Sequence, residues 1–121
     1  MSEEKEAPAF VPTKAEDYPV ERDREVELPS GARVILHAPS KYVMMRTGQF
    51  PKDVETAIRN AAEHGITPDF DIRQKTLEVL LCKAFVEPKV SMTPKKGHVH
   101  VRDLPDRDRE FVVALLELTV F

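Results

Sequence analysis

A chain of 121 residues has room for one core that holds without disulfide or metal staples, and its single cysteine, Cys82, excludes an intrachain disulfide framework. A formal charge of −3, with 32% charged residues of both signs, leaves no broad basic footprint for nucleic acid. No apolar run approaches the ~20 residues of a membrane-spanning helix, and the opening MSEEKEAPAF is acidic where a secretory leader is basic and then apolar, so a cytoplasmic protein is expected.

Residues 1–20 carry Glu3, Glu4, Glu6, Glu16 and Asp17 among Pro8, Pro12 and Pro19, a composition too polar to offset the entropy of ordering. They read as a flexible Pro/Glu-rich arm on a single globular domain, residues 21–121. Phe10, Val11, Tyr18 and Val20 give the arm an apolar component that suits either a plain tail or a docking segment.

Glu25 to Leu28 and Ala32 to Ala38 alternate as two strands, with Val26 and Leu28 on one inner face and Val34 and Leu36 on the other. Pro29-Ser30-Gly31 supplies the turn, which predicts an N-terminal β-hairpin. His37 shares the outer face of the second strand with Arg33 and Ile35, where a surface histidine is the plain reading.

Pro39-Ser40 opens a short helix, Lys41 to Arg46, expected to turn Tyr42 and Met45 inward, with Val43 and Met44 as further candidates, before Gly48 ends it. Phe50-Pro51 begins a second, with Val54, Ala57, Ile58 and Ala61 on one face and Gly65 as its stop. Thr67-Pro68-Asp69 opens the longest, with Thr67 as expected N-cap. Its stripes are Phe70, Leu77, Leu81 and Ala84, and beside them Ile72, Val79, Cys82 and Val86. Cys82 within these stripes reads as a small core hydrophobe. Glu87 to Gly97, broken by Pro88, Pro94 and Gly97, reads as a loop; its three lysines lack the interleaved aromatics of a nucleic-acid site.

His98-Val99-His100 has ligand spacing if it is extended, and Cys82 or His64 would complete a zinc set. The alternation of a half-exposed strand explains the same pattern without metal. With no CxxC, HExxH, Gly-rich phosphate loop or GxSxG, the expectation is no catalytic residue, no cofactor and no metal.

The last stretch, Val99 to Phe121, is predicted to be a short extended lead-in and then a helix capped by Asp103, with Pro105 in its first turn and Asp106, Asp108 and Glu110 placed for the dipole. It should run to the terminus. Phe111, Leu115, Leu118 and Phe121 recur along one side and form the candidate partner-binding surface, because the apolar face exceeds one seam. The whole reads as an α+β fold, mostly helical: an N-terminal hairpin followed by about four helices.

The order of these pieces resembles the tail assembly chaperones of long-tailed, siphovirus-like bacteriophages over about residues 24–118. The resemblance rests on Gly48-Gln49-Phe50-Pro51 leading into a helix, Val86-Glu87-Pro88 leaving the core helix, and Asp103-Leu104-Pro105-Asp106 opening the last one. It implies a non-enzymatic viral protein of the host cytoplasm. Such a chaperone binds and solubilises the tape measure protein, alongside other tail assembly proteins, during virion morphogenesis, with no role for nucleic acid or membrane. The alternative is a structural virion protein of the neck, head–tail connector or tail, using the arm and hairpin as subunit contacts in a homo-oligomer.

Overall fold

In the computed structural model, which describes residues 9–119 and Phe121, the hairpin forms where the alternation places it. Strand β1 (Arg24–Glu27) pairs antiparallel with β2 (Arg33–Leu36), Arg24 opposite Leu36 and Glu27 opposite Arg33. Leu28 N–H donates to Ala32 O and Gly31 N–H to Leu28 O, both at 2.8 Å, with Gly31 at φ 93°. A three-residue hairpin loop needs a left-handed residue at its last position, and glycine takes it without a Cβ penalty.

Helix α1 (Lys41–Arg46) starts as expected, the Ser40 hydroxyl accepting from Val43 N–H at 3.2 Å. Of its four candidates Met44 is buried and Met45 half-buried, whereas Tyr42 and Val43 are exposed. At 100° per residue Tyr42 stands about 200° from Met44, so a six-residue helix that buries one turns the other to solvent. Helix α2 (Lys52–His64) buries Val54 and half-buries Ile58, and ends at a left-handed Gly65.

Helix α3 (Phe70–Ala84) is the central element, touching α2, the last helix and the short strands that follow it. Asp69, not Thr67, is its cap: the carboxylate accepts from Ile72 N–H at 3.0 Å, the reach of an N-cap to the third helical residue. Thr76, Val79, Leu80, Leu81 and Ala84 are buried, while Phe70, although in line with Leu77, precedes all of them and is 63% exposed.

The expected loop at Glu87 to Gly97 is partly strand. Strand β3 (Phe85–Glu87) joins β2 antiparallel, making the order β1-β2-β3, and β4 (Val90–Ser91) pairs parallel with β5 (Val99–His100). Ile35 lies opposite Glu87 and Leu36 opposite Phe85, so β3 owes its existence to a partner about fifty residues earlier.

A 3-10 turn, Val101–Asp103, precedes helix α4 (Asp106–Leu116). Asp103 is therefore not the cap. Pro105 holds that position, its carbonyl accepting from Asp108 N–H and Arg109 N–H at 3.0 Å. Nor does the helix reach the terminus: Glu117 turns left-handed at φ 53°, and Leu118 N–H reaches back to Val113 O at 3.0 Å. This hydrogen bond over five residues closes a Schellman-type end, with the apolar residue just beyond it folded onto the domain. The fold is α+β, with the N-terminal hairpin and four α-helices among the described residues.

Candidate functional site

The acids at the start of α4 do different things. Asp106 and Asp103 are exposed, but Asp108 is only 2% exposed and accepts two hydrogen bonds from the hairpin turn, from Ser30 N–H at 2.9 Å and from the Ser30 hydroxyl at 2.5 Å. Its role is therefore more than that of a first-turn acid favoured by the helix dipole. A buried carboxylate needs such donors to offset its lost hydration, and here they tie the turn of the first strand pair to the last helix. Nothing local in the sequence marks this pair, because it joins residues 78 apart. Arg109 folds back toward the carbonyls of Val101 and Leu104, both at 3.4 Å, so the mixed charges are dispersed rather than gathered into an acid/base cluster.

The histidines take structural partners. His98 Nδ1 meets the Ser91 hydroxyl at 2.5 Å, and His100 Nε2 meets Met92 O at 3.0 Å, so each ring is engaged across the short parallel strand pair. His64 is exposed at the end of α2, 4.0 Å from Glu63. Among the described residues no three histidine, cysteine or acidic side chains are grouped to hold a metal ion. Cys82 packs half-buried against the core, where desolvation, with Glu78 adding to it, pushes its thiol up to about 11. A thiol of that kind carries little thiolate at neutral pH and is a poor nucleophile.

The four expected partner-binding residues do not form one helical stripe. Phe111 and Leu115 lie on α4, but Leu118 and Phe121 come after its end. Leu118 is buried at 5% exposure and Leu115 is half-buried against the core, whereas Phe111 is 37% and Phe121 43% exposed. The left-handed turn at Glu117 causes the break, since it swings Leu118 inward and sends the tail across α3. There Lys41 Nζ donates to Thr119 O, and Phe121 borders two surface hollows. One lies along α3, with Leu77, Leu80 and Leu118 in its wall. The other, about 360 Å³, is lined by Ile58, Ala61, Ala62, Ile66 and Pro68 at the end of α2. The exposed Ile66 completes this apolar end. Periodicity alone missed it, because Ile66 lies just past the Gly65 stop.

A third hollow, about 420 Å³, lies at the hairpin and is lined by Glu25, Val26, Glu27, Arg33, Val34, Ile35 and Glu87. Among the described residues no helix is long and apolar enough to cross a membrane. Compared with known proteins, the chain matches no family model, no curated protein and no solved structure.

Proposed function

We propose that this chain is a non-catalytic binding protein, and specifically a phage tail assembly chaperone that shelters amphipathic helices of the tape measure protein in the host cytoplasm. The observation that supports it most is the apolar end built by Ile66, Pro68, Phe121 and the alanine face of α2. Small side chains at Ala61 and Ala62 let a partner helix approach the backbone closely, while Phe121 and Ile66 stand at the rim as anchors. The resemblance over residues 24–118 supplies the client; the open apolar end supplies a place for it. Phe111, exposed on α4, is a further contact candidate, whereas Leu118 serves the core.

Co-expression with the candidate tape measure protein tests the reading. Soluble client should rise with the intact chain and fall back with Ile66→Ser combined with Phe121→Ala. Equal client solubility with and without the chain would sink it.

The second reading, a structural virion protein of the neck, connector or tail, draws support from Phe10, Val11, Tyr18 and Val20, all of them exposed. Apolar side chains on a segment outside the core fit an arm that docks on a neighbouring subunit. Its presence in purified mature particles would favour this reading over a chaperone that leaves before completion.

A further inference from the structure

Strand β1 is an edge of the three-stranded sheet, and its chemistry defines what can pair with it. Leu28 donates across the turn to Ala32 O, and antiparallel ladders alternate, so Val26 and Arg24 direct their backbone groups to β2. The N–H and C=O groups of Glu25 and Glu27 therefore point to the open edge. Among the described residues none of them is hydrogen-bonded there.

Side chains follow the same alternation. Asp23, Glu25 and Glu27 form an acidic row along the edge on the outer face. The outer two meet basic side chains on β2 or just beyond it, Glu27 with Arg33 at 3.8 Å and Asp23 with His37 at 2.9 Å. Glu25 instead stands opposite Ile35, with Glu87 on that residue's other side. These residues, with Val26, line the 420 Å³ hollow, and Val26 packs half-buried against the core on the inner face.

A second copy of this chain does not fit. An antiparallel pairing of two β1 edges joins residues with outward backbone groups, so a register that overlaps the two strands sets acids of the row Asp23, Glu25 and Glu27 directly opposite one another. Like charges directly opposite each other are destabilising. The acidic row that repels a copy is complementary to lysine or arginine. We infer that the β1 edge is a strand-addition site for an extended segment of a partner protein, with basic residues at alternate positions facing Asp23, Glu25 and Glu27 and apolar residues between them beside Val26. This site is separate from the apolar end and does not depend on what that end binds.

The test uses the intact chain and eight-residue labelled peptides at low salt: alternating lysine and valine, alternating glutamate and valine, and a block peptide of four lysines followed by four valines. Fluorescence anisotropy should show binding of the alternating basic peptide alone. Glu25→Gln with Glu27→Gln, isosteric and exposed, should weaken it about tenfold, in line with two lost cross-strand ion pairs. Hydrogen exchange should slow at the amides of Glu25 and Glu27 on binding. Equal binding of the block peptide, or binding without that protection, would mean adsorption to an acidic surface and overturn the inference. Protection of the same amides in a dimer of the chain alone would assign the edge to a second copy and overturn it equally.

Discussion

At the hairpin end, Ser30 gives both its N–H and its hydroxyl proton to the buried carboxylate of Asp108; at the C-terminal end, Leu118 is pressed into the core while Phe121 rests half-exposed between two hollows. The first contact is directional and holds one arrangement. The second is apolar and can be satisfied by other surfaces of similar shape. Polar ties suit an element that must keep its register, and β1 needs that if its edge is to meet a partner residue by residue. Apolar contact without directional bonds suits a surface that accommodates amphipathic helices differing in sequence.

The contrast breaks first at Asp108. Asp108→Ala should cost about 2–3 kcal/mol, because it removes an acceptor that serves two donors, one of them a backbone group. Asp108→Asn, which keeps one acceptor oxygen, should cost about half as much; urea denaturation of both variants measures the difference. A double-mutant cycle with Ser30→Ala isolates the pair, and a coupling near zero would mean that the tie contributes nothing.

At the opposite end the largest effect has the other sign. Glu117 holds a left-handed conformation in which a Cβ is penalised, so Glu117→Gly should stabilise the domain by about 0.5–1 kcal/mol, seen as a higher urea midpoint at unchanged slope. Ile66→Ser should be nearly silent in the same assay, within about 0.5 kcal/mol, because the side chain is exposed. If it instead destabilised strongly, Ile66 would belong to the core and the open apolar end would lose its rim.

The smallest effect concerns the ion pair between α2 and α3. Lys75 donates to the Asp53 carboxylate at 2.9 Å and holds its pKa below the ordinary carboxylate value. Because the folded-state value is the lower one, the pair's contribution is present above the ordinary carboxylate pKa and is lost as pH falls through the lowered value. Lys75→Ala should return the Asp53 titration upward to the ordinary range, read by carboxyl-carbon NMR. Both side chains are substantially exposed, so the melting temperature should barely move.

The elements with punctuation in the chain were legible. Ser30-Gly31 marked the hairpin turn, Ser40 the start of α1, and Gly65 the end of α2, because each residue type solves a local backbone problem. Two caps were misplaced by the same ambiguity: in Thr67-Pro68-Asp69 and Asp103-Leu104-Pro105 a capping side chain stands on one side of a proline and the helix begins on the other. Strand β3 was hidden because Phe85 and Val86 continue the apolar run of α3, and only pairing with β2 makes them extended. The candidate surface was half legible. Phe111 and Phe121 are exposed, but the stripe through Leu115 and Leu118 assumed a helix that the turn at Glu117 ends. Asp108 lay beyond reach, since its neighbours in sequence explain an acid there equally well without Ser30.

The Ser30–Asp108 tie also sets an order of events during synthesis. Ser30 is made 78 residues before its partner, an interval of roughly 4–16 s at ordinary elongation rates. Throughout that interval the hairpin, whose register its own turn sets, has no carboxylate to tie it to the rest of the domain. Nascent chains arrested before residue 108 should therefore carry a formed hairpin that moves independently of the helices, and the placement of the β1 edge on the domain would be fixed only once α4 has been made.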